Sequence, residues 1–256
     1  MKTARIAIVA SFVFFLIICP YAQAADSSDT KNWEFNLAPL YLWGVNLNGD
    51  VAIGPVTAPL NLKFGDIFSN LEAVFTAHFE AWYKQKWGFL LDFSYIDLGG
   101  QQAIPGATTL DVDFKNIMGE LGVFYRFFDD GENAFEALFG VRYTDVDVSV
   151  DFVGLPPRLD VKQDWLDPMI GARYRWNMSD KWELKLRGDI GGFGIGDASD
   201  FTWNASALIS WQPWKHVGLI GGYRVLSVDY KTGSRLDRFE YDVLMHGPIF
   251  GFNIVW

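Results

Sequence analysis

The feature of this sequence that most limits its fold is a two-residue alternation of apolar and polar side chains. In the segments AVFTAHFEAWY (residues 73–83) and WELKLRGDIGG (182–192), apolar residues recur at every second position and polar or charged residues stand between them. Successive side chains of a β-strand point to opposite faces, so each segment predicts a strand with one apolar and one polar face. A soluble β-sandwich buries the apolar face in its core, whereas a transmembrane barrel turns that face toward lipid.

The positions of the aromatic residues favour the transmembrane barrel. Aromatic side chains flank the short connections KQK, DDGEN, SDK and PWK, as at Trp82, Tyr83, Trp87, Phe127, Phe128, Phe135, Trp176, Trp182, Trp211 and Trp214, with Trp33 and Trp256 near the chain ends. A second aromatic level follows 8–12 residues along several strands, at Tyr41, Trp43, Tyr95, Tyr143, Phe193, Trp203 and Tyr223. For strands tilted by about 40°, the two levels are about 25 Å apart, the height of an outer-membrane apolar band.

The pattern predicts an all-β fold, an antiparallel transmembrane β-barrel of ten strands, although eight or twelve strands remain open. The predicted strands are residues 33–47, 71–84, 87–98, 109–128, 134–152, 159–177, 181–196, 199–212, 216–231 and 238–256. Barrels of this kind have short periplasmic turns and longer outer loops, so the aromatic-flanked turns are placed in the periplasm. The predicted outer connections are residues 48–70, 99–108, 153–158, 197–200 and 232–237. Because several strands exceed the roughly 9–11 residues needed to cross a bilayer, we expect extended extracellular hairpins.

The amino-terminal residues predict export. Lys2 and Arg5 precede an apolar run that ends at Cys19, and Ala22 and Ala24 frame a small-residue cleavage site. This is the pattern of a signal peptide over residues 1–24, which leaves residues 25–256 as the barrel domain. An uncleaved anchor helix is the alternative, but the apolar run is shorter than the ~20 residues that span a membrane.

The carboxyl-terminal strand predicts how the barrel closes. It ends in GPIFGFNIVW, with Phe250, Phe252, Ile254 and Trp256 at every second position. In lipid every backbone group needs a partner, so this strand must pair with the first one. A terminal aromatic residue on such a strand also resembles the signal that the barrel assembly machinery of Gram-negative bacteria recognises.

Three stretches carry a family resemblance: residues 164–211, from DWLDPMIGARYRW to NASALISW, with GGYRVLSVDY (221–230) and the final GPIFGFNIVW. They resemble a family of proteobacterial outer-membrane β-barrel proteins, described simply as outer membrane proteins. The resemblance extends over most of the chain after residue 24. It implies a barrel fold and a location in the outer membrane of a Gram-negative bacterium, and it implies no activity, ligand or catalytic residue.

The face opposite the apolar one predicts the interior. Its acids are Glu34, Glu80, Asp92, Glu120, Glu136, Glu183 and Asp189, and its bases are Arg126, Arg142, Arg173, Arg175, Lys185, Arg187 and Arg224; His78 lies on the same face. A ten-stranded barrel is little wider than the eight-stranded kind whose side chains fill it, so we expect ion pairs and no open pore. This predicts a structural or surface-interaction protein. The alternative is a narrow porin-like channel for small solutes, although neither sign of charge is in excess.

Enzymatic activity is the least favoured class. An outer-leaflet lipid-modifying enzyme or a rim protease needs a histidine with a serine or carboxylate partner. We expect His78 to be a satisfied interior residue, His216 to lie in a periplasmic turn, and His246 to lie too far from Asp242 for a dyad. The sequence therefore predicts no catalytic, cofactor-binding or metal-binding residues. The net charge of −10 argues against nucleic acid, which leaves outer-membrane lipid, lipopolysaccharide and the assembly machinery as expected partners.

Overall fold

The computed structural model describes residues 32–65, 71–103, 109–152 and 159–256, so the signal peptide predicted over residues 1–24 lies outside the described part. The described residues form thirteen strand segments and one 3₁₀ turn at Arg235–Asp237. The strands are β1 (Trp33–Ala38), β2 (Tyr41–Trp43), β3 (Asn46–Ile53), β4 (Val56–Leu62), β5 (Leu71–Tyr83), β6 (Trp87–Ala103), β7 (Thr109–Asp129), β8 (Asn133–Phe152), β9 (Leu159–Ser179), β10 (Trp182–Gly191), β11 (Phe201–Trp211), β12 (Val217–Thr232) and β13 (Phe239–Val255). Within the described ranges, no helix has the length and apolar composition needed to span a membrane.

The strands form a closed antiparallel barrel. From β5 to β13 each strand pairs with the next one in the chain, and β1 pairs with both β5 and β13. Backbone hydrogen bonds join Phe35 and Trp256 in both directions, at 3.0 and 3.1 Å. Segments β1, β2 and β3 pair one after another with β13 and together count as the first strand. Segments β4 and β5 pair with the other edge of that strand, β4 with β3 and β5 with β1, and together count as the second strand. The ring therefore has ten strands, and the predicted closure of the last strand on the first is confirmed.

Proline explains why the first strand is interrupted. Pro248 lies inside β13, where a missing backbone N–H would leave a neighbouring carbonyl unpaired. Beside it the first strand breaks between β2 and β3, and the Gly44 N–H donates to the Pro248 carbonyl at 2.7 Å. The break thus coincides with the residue that cannot donate to the ladder.

Two predicted boundaries were wrong. Residues 48–70 were expected to form a single outer connection, but β3 continues to Ile53 and pairs with β4. Val51, Ile53, Leu60 and Leu62 of this hairpin pack against the buried apolar core, which accounts for its order. Strand β10 was expected to reach residue 196 but ends at Gly191, and Gly192, Gly194 and Gly196 then adopt left-handed φ angles of 81°, 60° and 64°.

The ends of the barrel differ in their exposed aromatic residues. We call the end that holds Trp33 and Trp256 the terminal end and the opposite end the distal end. Exposed aromatic side chains surround the terminal end: Trp33, Trp87, Phe127, Phe128, Phe135, Trp176, Trp182, Trp211, Trp214 and Trp256. The sequence-based assignment of three aromatic residues to the exterior was wrong. Trp82, Tyr41 and Trp43 point inward and are 3%, 7% and 5% exposed.

Polarity inverts along the long strands. On β8, outward Phe139 and Tyr143 are followed by outward Asp145, while inward Arg142 is followed by inward Val146. The same change occurs on β6, β7, β9, β12 and β13. Toward the terminal end the exterior is therefore apolar and the interior polar, and toward the distal end the reverse holds. We call the level of this change the polarity boundary.

Beyond the polarity boundary the barrel continues as two facing sheets. Strand β6 extends past its pairing with β5, and β9 past its pairing with β10, so β6–β9 form one sheet. Strands β12, β13, β3 and β4 form the other. Between them lies an apolar core that includes Trp165, whose ring stacks on Tyr230 at 4.1 Å. The distal interior is thus packed like a β-sandwich, and the charged interior expected from the sequence lies below the polarity boundary.

Candidate functional site in the barrel interior

Charged side chains occupy the interior below the polarity boundary. They stand at alternating positions of β5–β10 and β12, where the strand pleat turns them inward, and most are nearly inaccessible. Burying an ionised group is costly unless it is paired and hydrogen-bonded. The pairing of each charge therefore decides whether this layer is filled or hydrated.

The first group is the Glu120 cluster, which comprises Glu120, Asp189, Arg142, Arg187 and Arg224. Glu120 accepts from Arg142 at 3.0 Å, Arg187 at 2.8 Å and Arg224 at 2.5 Å. Asp189 accepts from Arg142 at 2.7 Å and from Arg187 at 2.8 Å. Both carboxylates are almost fully buried, at 1% and 4% exposure. Two acids and three bases thus share one hydrogen-bonded network.

The second group is the Glu136 cluster, which comprises Glu136, Glu80, Arg126, Arg173 and Arg175. Glu136 lies 2.9 Å from Arg126, 2.6 Å from Arg173 and 3.8 Å from Arg175. Both terminal nitrogens of Arg173 donate to Glu80, at 2.6 and 3.1 Å, in the bidentate geometry that makes guanidinium–carboxylate pairs strong.

His78 connects the two clusters. Its Nε2 lies 3.1 Å from Glu80 and its Nδ1 lies 2.8 Å from Asp92. The other Asp92 oxygen accepts from the Tyr41 hydroxyl at 3.0 Å, and Arg224 lies 3.7 Å from the same carboxylate. The interior charges therefore form a continuous network, and both ring nitrogens of His78 are engaged.

Some of the ion pairs join neighbouring strands, as Glu120 and Arg142 do, whereas others cross the barrel. Arg224 on β12 and Glu120 on β7 stand five places apart in a ring of ten strands, on opposite sides of the barrel. Arg173 on β9 and Glu80 on β5 stand four places apart. Side chains from opposite walls thus meet directly, which leaves no continuous lumen through these contacts.

Aromatic rings lie under the arginines near the terminal end. Trp82, Leu90, Phe124 and Leu138 form a small buried apolar cluster. The guanidinium carbon of Arg126 lies 4.3 Å from the centre of the Trp82 ring, and that of Arg173 lies 3.9 Å from the centre of the Phe124 ring, both within cation–π range. At Gly88 an added Cβ would lie 2.7 Å from the Trp82 ring. A residue without a Cβ at this position therefore leaves room for the indole.

The structure places the interior residues expected from the sequence as follows. Fourteen of the fifteen lie in the charged interior. Ten belong to the two clusters, and His78 and Asp92 connect these clusters. The other two, Glu183 and Lys185, form an adjoining group, in which Glu183 accepts from Arg175 at 2.9 Å and lies 3.1 Å from Lys185. Glu34 is the exception, since it lies half-buried near the terminal opening and accepts from the Gln85 amide.

Sequence reasoning missed several interior residues. Asp167 is fully buried and accepts from the Ser199 backbone N–H at 2.7 Å, the Ser199 hydroxyl at 2.9 Å and the Trp165 indole at 3.2 Å. It thereby fixes the β10–β11 connection at the polarity boundary. Asn204 bridges Asp189 at 2.8 Å and Arg224 at 2.9 Å. Both residues share the inward face of their strands, and that alternation is the signal that could have identified them.

Two adjoining cavities lie on one side of the interior, among the described residues. The inner cavity, of about 90 Å³, lies between the charged clusters and the wall formed by β11–β13 and β1. The outer cavity, of about 200 Å³, lies at the terminal end and is lined by the exposed residues Asp180 and Lys181 of the β9–β10 turn. The two cavities adjoin, since both are lined by Asn36, Glu80, Lys185 and Ser210.

The other histidines lie away from this interior. His216 Nδ1 lies 2.9 Å from the Val255 carbonyl at the terminal end. His246 faces outward, where its Nδ1 lies 2.6 Å from the Tyr223 hydroxyl and its Nε2 lies 3.1 Å from the Asn48 amide. Among the residues that the structure describes, no group of three or more His, Cys, Asp or Glu side chains is arranged to hold a metal ion.

Comparison with solved structures identifies the fold. The outer membrane protease OmpT of Escherichia coli superposes with a TM-score of 0.55 at 8% identity, over 88% of this chain and 96% of that chain. Ail of Yersinia pestis, in complex with sucrose octasulfate, superposes with a TM-score of 0.40 at 13% identity, over 88% of this chain and 99% of that chain. The translocator domain of the autotransporter NalP from Neisseria meningitidis superposes with a TM-score of 0.39 at 11% identity, over 98% of this chain and 97% of that chain. No family model and no curated protein matches the sequence.

These likenesses establish the fold alone. The chain has the architecture of an outer-membrane β-barrel, as the alternation and the aromatic levels predicted. At 8% identity, the protease activity named for OmpT belongs to that protein.

Proposed function

We propose that this chain is an integral outer-membrane protein of a Gram-negative bacterium, with lipid around the barrel between the terminal aromatic ring and the polarity boundary. On β9 this segment runs from Trp176 to Leu166, both exposed on the outer face. Ten residues of a strand tilted by about 40° rise about 25 Å, which fits the apolar band of such barrels. The outward charges begin immediately beyond it, at Asp164.

The terminal end faces the periplasm and the distal sheets stand outside the cell. The short aromatic-flanked turns support this orientation, because periplasmic turns of outer-membrane barrels are short. Export requires a signal, and residues 1–24 are proposed to supply it and to be removed afterwards. The two facing sheets then present an extracellular surface some distance above the lipid.

The barrel is closed to ions and solutes, and its role is structural or one of surface interaction. One observation carries this proposal: Arg224 and Glu120 meet across the full interior at 2.5 Å. Above them, the core around Trp165 consists mainly of apolar side chains, which cannot replace the hydration shell of an ion. Permeation would require both layers to separate, which would strand buried charges.

Lipopolysaccharide is the proposed lipid partner at the polarity boundary. Two outward lysines lie there, and each pairs with an aspartate that also accepts from a tyrosine hydroxyl. Lys115 donates to Asp97 at 2.9 Å, and Lys162 donates to Asp145 at 2.7 Å. Side chains of Lys115 and Lys162 are 48% and 40% exposed, so their ammonium groups can also meet phosphate at the outer leaflet.

A narrow channel is the second candidate, and the two adjoining cavities favour it. Proteoliposome swelling separates the candidates. With purified protein in vesicles loaded with dextran and diluted into isotonic L-arabinose, we expect the rate of swelling to match empty vesicles. Swelling that rises in proportion to the protein incorporated, as for a general porin measured in parallel, would establish the channel and overturn the closed barrel.

A further inference from the structure

The inner cavity exists because the interior is filled unevenly. The long charged side chains project mainly from β5–β10 and converge on Glu120 and Glu136. On the opposite wall the inward residues are short, as at Ala38, Ser206 and Ser210. The space left between them is about 90 Å³, whereas one buried water needs about 10–15 Å³. The cavity is therefore large enough for a molecule of several heavy atoms.

The lining of this cavity has two unlike sides. Leu208, Ile220 and Ile249 supply an apolar side on β11, β12 and β13. The other side is charged: the cationic groups of Lys185, Arg187, Arg173 and Arg224 outnumber the carboxylates of Glu80 and Asp92 there. The ion pair of Lys185 with Glu183 at 3.1 Å engages one of the three N–H donors of the ammonium group, which leaves capacity for a second anion.

Access to the cavity comes from one end. The outer cavity opens at the terminal end beside the exposed Lys181, and Lys185 and Ser210 line both cavities. Toward the distal end the apolar core closes the interior. The two cavities thus form a blind recess that opens at the terminal end.

We propose that this recess binds a small amphipathic monocarboxylate that enters from the terminal end. The carboxylate contacts the Lys185 ammonium group, and the apolar part of the ligand packs against Leu208, Ile220 and Ile249. A neutral molecule of the same shape cannot pair with the cationic groups that outnumber the carboxylates in the lining, and a cation would be repelled by them. Binding of this kind does not depend on whether the barrel conducts.

Isothermal titration calorimetry on the full barrel in detergent micelles tests the proposal, with butanoate as the probe because its short chain partitions little into micelles. Butanol and butylammonium are the matched neutral and cationic ligands. We expect saturable binding of butanoate and no saturable binding of the other two. Equal heats from butanoate and butanol would overturn the proposal, because they would show that the charge is not recognised.

Two variants locate the site. Lys185→Gln keeps the Arg175–Glu183 pair and should weaken butanoate binding at least about tenfold. Ser206→Leu places an apolar side chain in the cavity and should abolish binding while the charges remain. Lys231→Gln, at an exposed position of β12, is the control and should bind as wild type does. Unchanged affinity in Lys185→Gln would overturn the assignment.

A thiol at the junction of the cavities gives a test that does not depend on the folding of the cavity-filling variant. Cys19, within the predicted signal peptide, is the only cysteine of the sequence, so Ser210→Cys introduces a single site in the barrel. An anionic methanethiosulfonate should modify this thiol, and butanoate should slow the modification whereas butanol should not. Modification at the same rate with and without butanoate would contradict occupancy of the recess.

Discussion

The Glu120 cluster offers the sharpest perturbation of the interior. Glu120 is 1% exposed and accepts hydrogen bonds from Arg142, Arg187 and Arg224. The substitution Glu120→Gln keeps the shape of the side chain but removes its charge, so the three guanidinium groups lose their shared anion. Removing one partner of a buried ion pair costs about 3–5 kcal/mol, a large part of the roughly 5–15 kcal/mol by which proteins are stable.

The measurement is the free energy of unfolding in lipid vesicles, followed by tryptophan fluorescence during urea titration. Glu240→Gln is a matched control, because the Glu240 carboxylate accepts from Arg238 at a half-buried position on the outer face, and the change should have little effect. Arg224→Gln should destabilise on its own. The double variant Glu120→Gln/Arg224→Gln should cost less than the sum of the singles, by about 0.5–3 kcal/mol, since the two residues contact each other.

The outcome that refutes this reasoning is equally specific. Surface substitutions usually change the free energy of unfolding by less than about 0.5 kcal/mol. If Glu120→Gln changes it by no more than this, then water must already solvate the three arginines. Strict additivity of the two substitutions would support the same conclusion. Either result would mean that the interior is hydrated and that the pairs contribute little.

Three further predictions concern topology, assembly and the distal core. A protease-cleavable tag in the connection 153–158 should be cut in intact cells and one at Gly131 only after the outer membrane is opened; equal protection would overturn the orientation. Trp256→Ser should lower the yield of heat-modifiable barrel, and an unchanged yield would make the terminal aromatic residue incidental. Trp165→Ala should lower the free energy of unfolding by about 3–5 kcal/mol, because it removes a buried ring that stacks on Tyr230. Leu166→Ala, at the exposed neighbouring position, should cost clearly less, and equal costs would contradict the packed core.

The strands could be predicted from the sequence because alternation is a local property. Every strand expected after residue 70 is found, with ends that shift by a few residues. The inversion of polarity was also present in the sequence, in the phase of the alternation. In YTDVDVSV the apolar residues Val146 and Val148 occupy even positions, whereas Phe139 and Tyr143 of the same strand occupy odd ones. A change of phase within one strand is therefore the sign that its apolar face turns from lipid to core.

The ion-pair partners could not be predicted in the same way. Alternation assigns a side chain to a face, but the partner across the barrel depends on the stagger of all ten strands. Glu183 and Arg187 share a face of β10, yet Glu183 lies beside Arg175 and Arg187 reaches Glu120 on β7. Alternation could assign the fully buried Asp167 to the inward face but could not identify its partner Ser199, which lies in a connection that strand periodicity does not describe.

Single-channel recording in planar lipid bilayers tests the central claim most directly. The wild-type barrel, inserted at low density, should give no stable current steps, because Arg224 and Glu120 close the interior and the apolar core lies above them. Reproducible ion-selective steps from the wild-type protein, shifted in conductance by Glu120→Gln, would contradict the closed interior and identify the barrel as a channel lined by these charges.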